Sequence, residues 1–287
     1  MKRKIKRIYN YMFTQELRVL PADLAYSFTL AIIPILSLVI YFLSSFKIPY
    51  TLVENFINNY APSNLAELLE PILTASLTPS SLITIVVGII VAANGCNAII
   101  IASNTIYNME NSNIIRRYTK SLILMIIIIV LFAFILVVPL FGRTIANLLI
   151  KYIPIFSQNE DSVRAIYTVL QVPVSLFIMF YIIKMIYVIA PDERIRSKYC
   201  NYGSLFTTIG WLIVTVILSY YINNIARFDL VYGNLANLVI LLFWFYVLAY
   251  IFVIGLCINK DTVEQNIEKT NKIKLEEIRK RIKEEKK

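Results

Sequence analysis

Histidine is absent from all 287 positions of the chain. That removes the commonest general base and zinc ligand, so neither a zinc nuclease nor a histidine-dependent hydrolase is expected. Cysteine is scarce as well. Cys96, Cys200 and Cys257 are scattered and odd in number, with no CxxC spacing, which argues against a disulfide framework or a metal ribbon. The seven glycines form no phosphate-cradling loop. Paired carboxylates and a nucleophile set beside a base are missing too. No catalysis, cofactor or metal is expected.

Charge is also thin. Only 16% of residues are charged, where a soluble domain carries about a quarter. What fills the chain is apolar: 58% of residues are hydrophobic and the mean hydropathy is +0.68. The apolar residues come in long runs, and a bilayer needs about 20 of them per helix. Six runs qualify, at about 24–46, 82–107, 121–141, 166–189, 204–224 and 235–258. The expected fold is therefore all-α and polytopic. Residues 1–260 form a six-helix transmembrane domain, and 261–287 a charged tail. Pro34, Pro139 and Pro173 fall inside three spans, where neighbouring helices can satisfy the freed carbonyls; kinks are expected there. The basic start lacks a small-residue cleavage pattern, so the first span is expected to stay in the mature chain.

The formal charge of +10 matters less than its placement. Outside the tail, one set of alternate segments holds 12 Lys and Arg and the other five. The positive-inside rule then puts both termini in the cytoplasm. The surplus reads as an orientation signal and a contact for anionic headgroups, and nucleic acid is not needed to explain it. Residues 48–81 read as two short amphipathic helices capping the outer face, with Val53, Phe56, Ile57 and Tyr60 on one stripe. The tail from Lys260 carries ten basic residues and a thin apolar stripe, as a solvated or surface-lying helix would.

One span raises a chemical question. In "VAANGCNAIIIASNTIYNME" (91–110), Asn94, Asn97, Asn104 and Asn108 follow one another at intervals of 3, 7 and 4. These intervals put them on one helical face. An unpaired amide in hydrocarbon costs about 2–7 kcal/mol, so the face is expected to point into the bundle. Two roles stay open: hydrogen bonds between helices, or a polar wall along a substrate path. Few ionisable residues accompany them. Asp23 is expected to cap the first span, with Arg194 or Arg196 as a weaker partner, and Lys184 to reach the headgroups.

"ADLAYSFTLAIIPILSL", with Pro34, resembles the opening of the YihY/virulence factor BrkB family of bacterial inner-membrane proteins. "YVIAPDERI" (Tyr187, Pro191, Arg194) is similar to its Y-x-x-x-P-x-x-R, and "YGSLFTTIGW" (Gly203, Trp211) to its PGA-x-x-A-x-x-W. "YGNLANLVILLFWFY" (Tyr232, Gly233, Trp244, Tyr246) and "GLCIN" (Gly255, Asn259) continue the likeness almost to the tail. Cys257 stands where relatives have Glu, and Tyr202 where they have Pro. The resemblance implies a multi-pass plasma-membrane protein of a family once labelled ribonuclease and, for some members, linked to lipid export. The function expected is transport of a lipid or other amphipathic molecule, with Asn94, Asn97, Asn104, Asp23 and Arg194 along the path. The alternative is a membrane scaffold whose basic tail binds partners. Tyr187, Trp211, Tyr232, Trp244 and Tyr246 read as belt or packing aromatics, and Gly203, Gly233 and Gly255 as points of close backbone approach.

Overall fold

A computed structural model describes residues 15–46, 82–152, 160–193, 195–224 and 232–284. Among them are six long helices: α1 (Gln15–Ser45), α2 (Leu82–Tyr107), α3 (Ile114–Tyr152), α4 (Glu160–Ile189), α5 (Asn201–Asn224) and α6 (Ala236–Glu284). Short 3-10 turns, Ser197–Cys200 and Gly233–Leu235, lead into α5 and α6. The amphipathic cap read for 48–81 lies outside the described residues.

Each helix packs against the next in sequence, and α6 closes the ring against α1. Contacts of α2 with α6 and of α1 with α3 cross the interior. The core is built by Leu24, Leu36 and Ile40 of α1, Ile100 of α2, Leu124 of α3, Ile183 of α4, and Phe252 and Leu256 of α6. Small residues bring α2 close to α1. Ala92, Ala93, Cys96, Ala98 and Ala102 are buried, and a Cβ on Gly95 would lie 2.6 Å from that of Ala31. Lipid cannot drive apolar helices together, so packing of this kind holds them.

The outside is apolar too. On α5, Leu205, Ile209, Ile213, Val216, Ile217 and Tyr220 are exposed, and α1 and α2 show similar rows. In water such faces would drive aggregation; in a bilayer they face hydrocarbon. Among the described residues, four helical stretches are long and apolar enough to cross a membrane: Val19–Leu43, Val86–Tyr107, Ser197–Ile222 and Ala236–Glu264. The shorter apolar stretch Pro173–Ile189 adds to these.

Two boundaries differ from expectation. Helix α1 starts at Gln15, so Asp23 lies two turns inside it, exposed, and cannot cap it. The buried Leu20 shows why: the core-facing stripe begins before the longest apolar run. At the other end, α6 passes residue 260 unbroken. Lys260 and Asp261 are buried there and Val263 packs on the core, so the bundle extends past the expected domain edge. Helices α1 and α4 run unbroken through Pro34 and Pro173, and α3 spans Pro139.

Candidate functional site: the amides of α2 and the loops they meet

The four asparagines of α2 meet four different surroundings. Asn108 follows the last helical residue with φ +54°. Its N–H donates to Thr105 O at 3.1 Å, and the N–H of Met109 donates to Asn104 O at 2.9 Å. This pair of bonds is a Schellman stop, in which Asn tolerates the left-handed backbone. The stop turns the chain so that 111–113 fold back over the end of α2.

Asn104 is fully buried at that end. Its Nδ2 donates to Asp192 Oδ2 at 2.7 Å and to Asn111 Oδ1 at 3.0 Å. Its Oδ1 accepts from the Asp192 N–H at 2.8 Å. Asp192 also accepts from the Ser112 N–H at 3.0 Å and pairs with Lys120 Nζ at 3.1 Å. Lys120 donates further to Pro191 O at 2.5 Å. One node thus ties the end of α2, the turn after it, the start of α3 and the segment after α4. Burial pushes the Asp192 carboxyl up, but the Ser112 N–H, Lys120 and Asn104 outweigh it and hold it at about 2. The carboxylate is ionised, paired and hydrogen-bonded, as a charge taken out of water must be.

Asn97 is half-buried, and its Oδ1 is buried with no hydrogen-bond partner among the described residues; the Tyr107 hydroxyl is in the same state. Asn94 is exposed. The expectation that all four amides face inward therefore fails at Asn94. The reason is visible in the neighbours. Val86 and Asn104 lie 18 residues apart, five full turns, and share one azimuth. Yet Val86 is 53% exposed and Asn104 0%. The bundle covers that face only where the loops close over it.

A second set of bonds joins α4, α5 and α6. The Tyr187 hydroxyl lies 2.7 Å from Thr207 Oγ1 and donates to Phe252 O at 2.8 Å. Trp211 donates to Leu248 O at 2.9 Å and Trp244 to Thr215 Oγ1 at 3.3 Å. The fully buried Asn259 accepts from the Gly203 N–H at 2.9 Å, serving an amide in the first turn of α5. Tyr187, Trp211 and Trp244 therefore join helices, while Tyr232 and Tyr246 are exposed. Gly203 and Gly255 do meet. A Cβ on Gly203 would strike the Gly255 carbonyl and the Asn259 amide; one on Gly255 would strike Thr207 Oγ1 and the Tyr187 hydroxyl. Gly233 differs from its expected role. A Cβ built on it would meet no described residue within 4 Å, and its φ is +52°, so the turn into α6 is what favours glycine there.

Of the path residues expected from sequence, the structure places Asn97 and Asn104 on the inner side of α2 and leaves Asn94 and Asp23 outside. Arg194 lies outside the described residues, and Arg196 is exposed. Lys184 lies 5.9 Å and 5.6 Å from the ring centres of Phe180 and Tyr181, a cation held over aromatic faces. Sequence reasoning missed Asp192, Asn111, Ser112 and Tyr107, and took Lys120 for an orientation charge alone. The one available signal was a carboxylate beside the motif proline, Pro191. Among the described residues, no three of Cys, Asp and Glu gather as metal ligands do.

Long apolar helices in a sequential ring, apolar outer faces and polar groups gathered at loops and helix crossings define a multi-pass α-helical membrane protein. The family follows from comparison: the chain belongs to the Virulence factor BrkB family, whose model matches residues 8–280. It is 28% identical over 261 residues to a ribonuclease-like protein, YfkH, of Bacillus subtilis, covering 89% of this chain and 93% of that one. To a UPF0761 membrane protein of Haemophilus influenzae it is 25% identical over 263 residues, covering 88% and 93%. No solved structure matches.

Proposed function

We propose that this chain moves a lipid or other amphipathic molecule across the membrane. One observation carries the reading: Asn97 Oδ1 and the Tyr107 hydroxyl are buried on α2 without a hydrogen-bond partner among the described residues. Buried polar groups are nearly always satisfied, and leaving one unpaired costs about 1–3 kcal/mol. A guest with polar and apolar parts supplies what these two atoms lack, while the surrounding apolar helices accept its chains. Asn104 leaves the expected path, because Asp192 and Asn111 already use its amide. The proposal assigns no catalytic step to the chain.

The scaffold reading has an observation of its own. Helix α6 continues from Glu264 to Glu284, a projection of roughly 30 Å at 1.5 Å per residue. The test separates the two. Asn97→Leu and Tyr107→Phe keep volume and packing, so both variants should fold and insert. In proteoliposomes each should lower movement of a labelled phospholipid at least about tenfold, the effect of about 1.4 kcal/mol. Truncation after Glu264 should leave movement intact. Normal activity in both α2 variants, with loss of cellular function on truncation, would favour the scaffold and end the transport reading.

A further inference from the structure

The exposed amide at Asn94 lies within the Val86–Tyr107 span, eight residues from its start, or about 12 Å deep at 1.5 Å per residue. Hydrocarbon offers it neither donor nor acceptor. Its side chain makes no hydrogen bond to any described residue, and an Asn at that depth is too short to reach the headgroups. Its surroundings are patterned. Val87, Ile90, Asn94, Asn97 and Ile101 recur at intervals of 3, 4, 3 and 4. Val87 and Ile90 are 52% and 44% exposed, Asn94 is exposed and Ile101 half-buried. A 3-4 spacing is that of the seam in a left-handed helix pair, and an Asn at a core position of such a seam sets register and partner number.

We propose that two copies of this chain associate through this face of α2, with each Asn94 hydrogen-bonding its counterpart across a twofold axis normal to the membrane. The amide carries donors and an acceptor, so it complements itself, and a twofold axis brings identical residues together. Copies inserted the same way have their α2 helices parallel, as the seam requires. Asn97 flanks Asn94 in this row, half-buried and with its oxygen buried; the proposed contact is made by Asn94, and the substitutions that test it change Asn94 and leave Asn97 as it is.

Photobleaching steps of a tagged chain, counted in liposomes over a range of protein densities, test this directly. The native chain should show a monomer–dimer equilibrium. Asn94→Leu, which suits lipid better than the amide does, should weaken it about 3- to 30-fold, given the modest worth of such bonds in membranes. Asn94→Gln should restore most of the loss. In a background with Cys96, Cys200 and Cys257 replaced, oxidation should cross-link Asn94→Cys and Ile90→Cys, but not Ile123→Cys, which is 52% exposed on α3. A chain that stays monomeric at every density overturns the proposal. So does an Asn94→Leu variant that pairs normally, or cross-linking at Ile123→Cys as efficient as at Asn94→Cys.

Discussion

Asp192 is the residue on which four segments depend, and its chemistry makes a pH prediction. Its carboxyl sits at about 2 against an ordinary 3.8. A depressed folded-state value stabilises the fold above the ordinary value, and that stability is lost as the pH falls through the depressed one. The difference is worth about 2 kcal/mol. Asp192→Asn should therefore lower the melting temperature in detergent at neutral pH. The gap from the native chain should close as the pH is taken from about 5 to about 2. A gap that stays constant over that range would mean the carboxylate charge adds nothing. Asn104 belongs to the same node, and its Asp192 and Asn111 bonds explain a buried amide with no appeal to a substrate.

At the scale of the element, α5 and α6 test how close packing is enforced. Gly203 faces the backbone carbonyl of Gly255, which cannot move without its helix, whereas a Cβ on Gly210 would lie 2.8 Å from the Cγ2 of Ile251, a branch methyl of a side chain. Gly203→Ala should destabilise the bundle by about 1–3 kcal/mol or more, as overpacking does. Gly210→Ala should cost less than Gly203→Ala, since it meets one side-chain methyl on a stiff β-branched residue rather than backbone, and alanine favours helix by about 1 kcal/mol. Thermal melts of the two variants followed by size-exclusion chromatography decide it. Equal losses would show that the α5–α6 crossing yields or resists uniformly. The same contrast separates the three motif glycines: Gly203 and Gly255 serve a crossing, Gly233 a turn.

For the whole molecule, the node has a consequence for topology. Asp192 bonds to Ser112, so the turn after α2 and the segment after α4 lie at one end of the bundle. Cysteine reporters at Asn113 and Ser197 should label alike. The excess of Lys and Arg in those segments and before α1 predicts that both stay protected from an outside reagent, while reporters at Asn58 and Gln158 react. Labelling of Asn113 without Ser197 would break the ring; reversal of the whole pattern would invert the protein. Lys120 weakens the sequence argument slightly, because its charge is matched by Asp192.

The sequence by itself determined the helices and the solvent they require. Long apolar runs, few charges and family motifs are local properties, and a 20-residue apolar run has few structures open to it in a bilayer. The family resemblance also singled out Tyr187, Gly203, Gly255 and Asn259, though it did not show that they meet at one crossing. What only the tertiary structure decided is where each polar side chain points. The four amides of α2 looked equivalent because helical spacing reports azimuth alone. Burial depends on what stands opposite at each height: an open face of the bundle at Asn94 and partial cover at Asn97, the Asp192 node at Asn104. Asn108 was legible only as an amide, since its work as a helix stop lies in a backbone angle. Asp192 and Lys120 lie 72 residues apart in the chain, and no pattern within one helix can announce a pair that exists only once the ring closes.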